Sequence, residues 1–169
     1  MVDKDWGDNS LIYAYGANLY LLDKDNSEIL RFAGMEKGFS SKQRWLSPGV
    51  TGDFSDVSSW AIDGSIWMIT GSGKILRYSL GNNAGFTIKG APEDITNPKF
   101  IFTNENQKYV YLLIPDKKTI IVLNKDGEYQ FQYISDIISE AKSFIVSEAD
   151  KKIIILTGAK LYSLTLKNP

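Results

Sequence analysis

The chain has 169 residues, 43% hydrophobic and 23% charged, with a formal net charge of −1. That is apolar and long enough to bury a core rather than stay disordered, and too near neutral to hold nucleic acid or an anionic membrane through a general basic field. It contains no cysteine and no histidine, so disulfides, thiolate metal sites, Ser-His-Asp catalysis and histidine-held zinc are closed to it.

The first residues, Met1-Val2-Asp3-Lys4-Asp5-Trp6, are polar and lack the apolar centre of a signal peptide. The longest apolar runs stop well short of the roughly 20 residues that span a bilayer. A soluble chain without direct membrane insertion is expected, and its compartment stays open. Strand-type runs then follow in four groups. The first group predicts strands at 11–15, 19–23, 28–32 and 43–46, and the second at 58–62, 65–70, 74–79 and 85–89. The third predicts 99–103, 109–114, 119–123 and 129–134. The fourth has 142–147, 152–157 and 160–166 and lacks an outer strand. Turn residues fall between these runs: Gly16-Ala17-Asn18, Asp63-Gly64, Gly71-Ser72-Gly73 and Asp126-Gly127. Helical pattern is scarce, with one turn at most over 135–141.

The groups repeat. Glu28-Ile29-Leu30-Arg31-Phe32 nearly recurs as Lys74-Ile75-Leu76-Arg77-Tyr78, then as Thr119-Ile120-Ile121-Val122-Leu123 and Lys160-Leu161-Tyr162-Ser163-Leu164. A second series keeps step upstream of it: Leu19-Tyr20-Leu21-Leu22, Ile66-Trp67-Met68-Ile69, Val110-Tyr111-Leu112-Leu113 and Ile153-Ile154-Ile155-Leu156. A period in the low-to-mid forties carried by strands is the mark of a β-propeller blade. The expected fold is therefore all-β: a β-propeller, or an open arc of one, of about four blades of up to four antiparallel strands. It is read as a single domain over 1–169 with repeats near 9–47, 57–90, 97–135 and 141–167. Three versions compete: a closed four-blade ring, an open arc of a larger propeller, and a half-propeller that associates with itself through open blade edges.

Repeat three resembles the NHL and YVTN families of propeller repeat. It has Asn97-Pro98-Lys99-Phe100-Ile101 as a Pro-led first strand, Tyr109-Val110-Tyr111-Leu112 as a tyrosine-bearing second, and Lys125-Asp126-Gly127 as the turn into the outer strand. Thr119 stands where arginine is frequent in those families, and the other repeats match more loosely. The resemblance implies the fold and carries no catalytic residue across.

The linkers from each outer strand to the next inner strand gather at one face of such a disc. They carry Asp53 and Asp56, then Glu93 and Asp94, then Asp136 and Glu140, with no lysine or arginine among them. This mouth is expected to be acidic and to suit a cation or a basic partner, although Asp and Glu are also ordinary turn residues. Trp45, near an outermost strand, is a candidate contact residue. Trp60 and Trp67 read as packing between blades. Asp23-Lys24-Asp25-Asn26-Ser27-Glu28 looks like the start of a calcium loop, but lacks the glycine and distal glutamate and is explained as a hairpin turn.

No catalytic residue, resident metal or cofactor is expected; calcium is the one ion these oxygen-rich positions could take. The favoured function is a non-catalytic binding scaffold that recognises a protein or small ligand through loops at one face, without a role for nucleic acid. One alternative is a carboxylate-metal-dependent propeller hydrolase. Another is a structural C-terminal segment of a larger envelope or membrane-associated protein.

Overall fold

The computed structural model describes residues 6–167. Its strands pair in chain order into four separate antiparallel sheets, the blades of a β-propeller-type fold. Blade 1 comprises β1 (Ser10–Tyr15), β2 (Asn18–Asp23), β3 (Glu28–Ala33) and β4 (Gln43–Arg44). Blade 2 comprises β5 (Val57–Ile62), β6 (Ser65–Thr70), β7 (Ile75–Ser79) and β8 (Asn82–Asn83). Blade 3 comprises β9 (Phe100–Phe102), β10 (Tyr109–Ile114), β11 (Thr119–Asn124) and β12 (Tyr129–Ile134). Blade 4 has β13 (Ser143–Ser147), β14 (Lys152–Leu156) and β15 (Leu161–Thr165), with β14 in the middle. No helix among the described residues is long and apolar enough to cross a membrane.

Strand pleating gives each blade two faces, because alternate side chains point to opposite sides. The front looks toward the next blade and the back toward the preceding one. In blade 1, Tyr20, Leu22 and Ile29 form the front and meet Trp60, Ile62, Ile66 and Met68 on the back of blade 2. Trp67, Ile69 and Ile75 on the front of blade 2 meet Val110, Leu112 and Ile121 of blade 3. Tyr111, Leu113 and Ile120 of blade 3 meet Phe144, Val146, Ile153 and Ile155 of blade 4. The middle strands are thus apolar on both sides: all six side chains of β6 and all six of β10 are buried. Each fully buried Ile, Leu or Val contributes about 1.5–3 kcal/mol relative to exposure. Trp60 and Trp67 both lie inside seams, as packing between blades requires.

Three seams join four blades, and among the described residues no apolar cluster joins blade 4 back to blade 1. The four described blades are an arc with no blade against the front of blade 4 or the back of blade 1, and on the latter Trp6 and the loop at 37–40 pack beside buried Leu21 and Leu30.

The outer strands of blades 1 and 2 are shorter than the sequence suggests, whereas that of blade 3 keeps its expected bounds. In blade 2 the expected strand at 85–89 is replaced by the two-residue β8. Gly85 turns the chain at φ 63°, with its N–H donating to the Asn83 side chain at 2.8 Å. The segment beyond then leaves blade 2 for blade 3. The Lys89 N–H donates to the Gly127 carbonyl and the Tyr129 N–H to the Lys89 carbonyl, both at 2.9 Å. Phe86 sets its ring edge-on to Trp67 at 5.1 Å. Gly127 is required here, since it holds φ 89° and a Cβ would run into the Thr87 carbonyl. The turn expected over 135–141 is a 3₁₀ turn, Asp136–Glu140, that buries Ile138.

Candidate binding face

Antiparallel order sends the turns between second and third strands to the same end of each blade as the linkers between blades. The structure shows this directly. Asp56, in the linker before β5, accepts a hydrogen bond from the Ser72 N–H (3.2 Å) in the turn after β6, and its carbonyl accepts the Gly71 N–H at 2.7 Å. The 3₁₀ turn Pro115–Lys117, after β10, packs beside Asp136–Glu140. One face therefore gathers Asp53, Asp56, Glu93, Asp94, Asp136 and Glu140.

The carboxylates stand singly on that face, most of them with local partners. Asp53 Oδ1 accepts from the Ser55 hydroxyl (2.6 Å) and N–H (3.1 Å), and these bonds hold its carboxyl below the usual carboxylate range. Lys117 reaches Glu93 at 2.9 Å and the Asp94 carbonyl at 2.8 Å. Lys118 bonds to Asp136 at 2.7 Å, and that hydrogen bond and the lysine charge lower the Asp136 pKa. The Asp136 side chain still keeps 92% of its surface in solvent. Glu140 is exposed. Among the described residues no three acidic side chains converge as a metal site would need. Linkers free of cations in the sequence thus share one end of the blades with the lysines of the hairpin turns, Lys24, Lys74, Lys117, Lys118 and Lys160, of which Lys117 and Lys118 reach linker carboxylates.

Trp45 lies apart from this group. It is half-buried against the seam between blades 1 and 2, and its backbone N–H donates to the Ile29 carbonyl at 2.8 Å. The loop resembling a calcium site is a turn whose oxygens already hold N–H groups. Asp23 accepts from the Asn26 side chain (2.7 Å), the Asn26 N–H (3.1 Å) and the Gly7 N–H (3.1 Å), while Asp25 accepts the Asn9 N–H at 3.1 Å. Burial raises the Asp23 pKa, but these bonds outweigh it and the net shift is downward.

The opposite face carries polar groups that spacing alone does not reveal. Asp63, in the turn after β5, pairs with Lys125, in the turn after β11, 62 residues away. Asp63 also accepts the Trp67 indole N–H at 2.8 Å, and Lys125 bonds to the Thr103 hydroxyl. The Arg77 guanidinium lies 4.7 Å from the Trp67 ring centre. At the next seam Glu148 accepts from the Lys108 N–H (2.8 Å), the Tyr109 N–H (3.1 Å) and the Tyr111 hydroxyl (3.0 Å). Burial, followed by the Glu148 charge, pushes the Tyr111 phenol pKa well up. These groups bridge blades.

No family model matches the chain, and no curated protein matches it in sequence. Similarity to solved structures is clear and is of the propeller type. Glutaminyl cyclase from Myxococcus xanthus superposes with a TM-score of 0.62 at 11% identity, over 95% of this chain and 75% of the cyclase. A catalytically inactive virginiamycin B lyase from Staphylococcus aureus gives 0.51 at 14% identity, over 98% of this chain and 58% of the lyase. A chain of a nidogen/laminin complex gives 0.53 at 12% identity, over 84% and 59%. The chain spans less than two thirds of the lyase and of the nidogen/laminin chain. At such identities the likeness shows the fold alone.

Proposed function

We propose that the protein is a rigid binding module whose linker face recognises a basic surface of another protein, without chemistry of its own. The observation that carries this reading is the distribution of the carboxylates. They are spread along the linkers of one face, several held by a serine or lysine, and no three acidic side chains gather among the described residues. A spread array of exposed charge steers and orients a cationic partner, whereas acid–base or metal-assisted hydrolysis needs converging groups. The linkers are fastened between their ends, by Asp56 to the turn after β6, by Lys89 to blade 3 and by Lys117 to Glu93 and Asp94, which limits the conformational freedom of the array. The NHL-like character of repeat three fits such a scaffold.

The test uses oligolysine and oligoglutamate peptides of equal length as probes. Oligolysine should bind and weaken with rising salt. The triple substitution Asp53→Asn, Asp94→Asn, Asp136→Asn should lower its affinity by about tenfold, about 1.4 kcal/mol, with the fold unchanged. Equal binding of both peptides, or an unaffected triple variant, would overturn the reading.

A further inference from the structure

Each seam inside the chain joins the same two half-faces. The front half-face takes its second-strand residues from one register: Tyr20, Trp67 and Tyr111, followed two places on by Leu22, Ile69 and Leu113. Its third strand opens with Ile29, Ile75 or Ile120. Every one of these is buried. The back half-face uses the intervening register, as in Ile66 and Met68, Val110 and Leu112, or Ile153 and Ile155, also all buried.

Blade 4 carries a front half-face that nothing described covers. Ile154 and Leu156 take the second-strand places and Leu161 opens the third strand, with Ile145 beside them on β13. Leu161 is 70% exposed and Ile145 56%, and Leu156 is exposed too. Blade 1 carries the matching back half-face, also without a blade against it. Leu19 and Leu21 hold the second-strand places and Phe32 lies on the third strand; Leu21 is buried and Phe32 meets Trp6 edge-on at 6.2 Å, whereas Ile12 on β1 is 65% exposed. These residues, with Trp6 and Phe39, line an apolar groove of about 560 Å³.

We propose that the bare front of blade 4 docks on the back of blade 1 of a second copy, and the reverse, so that two copies close one ring. Two copies of four blades give eight, within the usual range of propellers. The occupant follows from continuity with the three seams already built. At each of them the partner of a back half-face is a blade front with a large second-strand side chain followed by a Leu or Ile and an Ile opening the third strand, and the chain carries one spare front, with Ile154 in the place of the aromatic ring and Leu161 in that of the Ile. The contact is front to back, so each copy uses two different surfaces. It closes because the second copy returns the chain of contacts to its start. These surfaces lie off the linker face, so this proposal and the binding reading stand or fall separately.

The test is absolute mass by light scattering across a concentration series of the full chain. The expected result is a species of twice the chain mass that dissociates on dilution. Ile12→Lys and Leu161→Lys, both at exposed positions, should each leave a folded monomer with unchanged far-UV circular dichroism. Mixing the two variants should restore a dimer, because the first keeps a sound front and the second a sound back. A monomer at every soluble concentration, mass that keeps growing with concentration, or a dimer lost with only one of the two variants would each overturn the proposal.

Discussion

At the residue that opens the third strand, Ile75 of blade 2 and Leu161 of blade 4 occupy the same structural place. Ile75 is buried in the seam with blade 3, whereas Leu161 projects into solvent from the front of blade 4. The seam between blades 2 and 3 adds two further layers. Asp63 and Lys125 form an ion pair beside Trp67, and the segment at 86–89 is laced to the turn at Gly127. The front of blade 4 has neither layer: Ile145, Ile154, Leu156 and Leu161 share it with Ser143, Lys152 and Ser163, and no described blade lies against them. The same side-chain code therefore stabilises an interior where a neighbouring blade is present and makes a sticky surface where one is not.

The sharpest way to break the comparison is to truncate both sides of it. Trp67→Ala removes a fully buried ring and leaves Asp63 without its indole donor, so it should cost about 3–5 kcal/mol in urea unfolding. Leu161→Ala, measured where the chain is monomeric, should stay within about 0.5 kcal/mol. Similar losses for the two would mean that the front of blade 4 is covered.

A smaller effect is expected at the seam between blades 3 and 4. Glu148→Ala strips three hydrogen bonds from the turn before β10 and from the Tyr111 hydroxyl, and should cost about 1.5–3 kcal/mol. The alkaline limb reports the same contact. The raised Tyr111 pKa means that the unfolded chain loses this proton first. The stability it contributes is complete below an unfolded pKa of about 10 and falls as pH rises above it. Tyr111→Phe should flatten the decline of the urea midpoint above about pH 10. An unchanged slope would assign the decline to other tyrosines.

The smallest effect belongs to the linker face. Lys118→Ala removes an exposed pair with Asp136 and should leave the thermal midpoint unmoved. A clear loss would show that this pair braces the Asp136–Glu140 turn.

The repeat, the blades and the apolar middle strands were legible because strands buried on both faces leave near-continuous apolar runs, and the period copies them four times. The short hairpin turns were legible from their own local turn residues. The outer strand of blade 2 was not. The run at 85–89 has strand composition, but its hydrogen bonds go to the next blade. Nor could spacing show that Lys117 and Lys118 meet Glu93 and Asp136, because linkers and hairpin turns become neighbours only after the blades stack. The Asp63–Lys125 pair lay further out of reach, since its partners belong to different repeats. Trp45, read as a contact residue because its strand is outermost, is partly buried against the seam of blades 1 and 2, a packing that its place near an outer strand did not reveal.

The front-and-back code also bears on how such a chain can be copied and lengthened. Every repeat ends with the same kind of front and begins with the same kind of back. Duplication or loss of one whole repeat would change how far the arc extends while leaving the joint at its two ends intact. An insertion of one residue within β6 or β10 would do the reverse. It would exchange the two faces of that strand and spoil two seams at once. Inheritance can therefore edit this molecule freely in units of a blade and hardly at all in units of a residue along its middle strands.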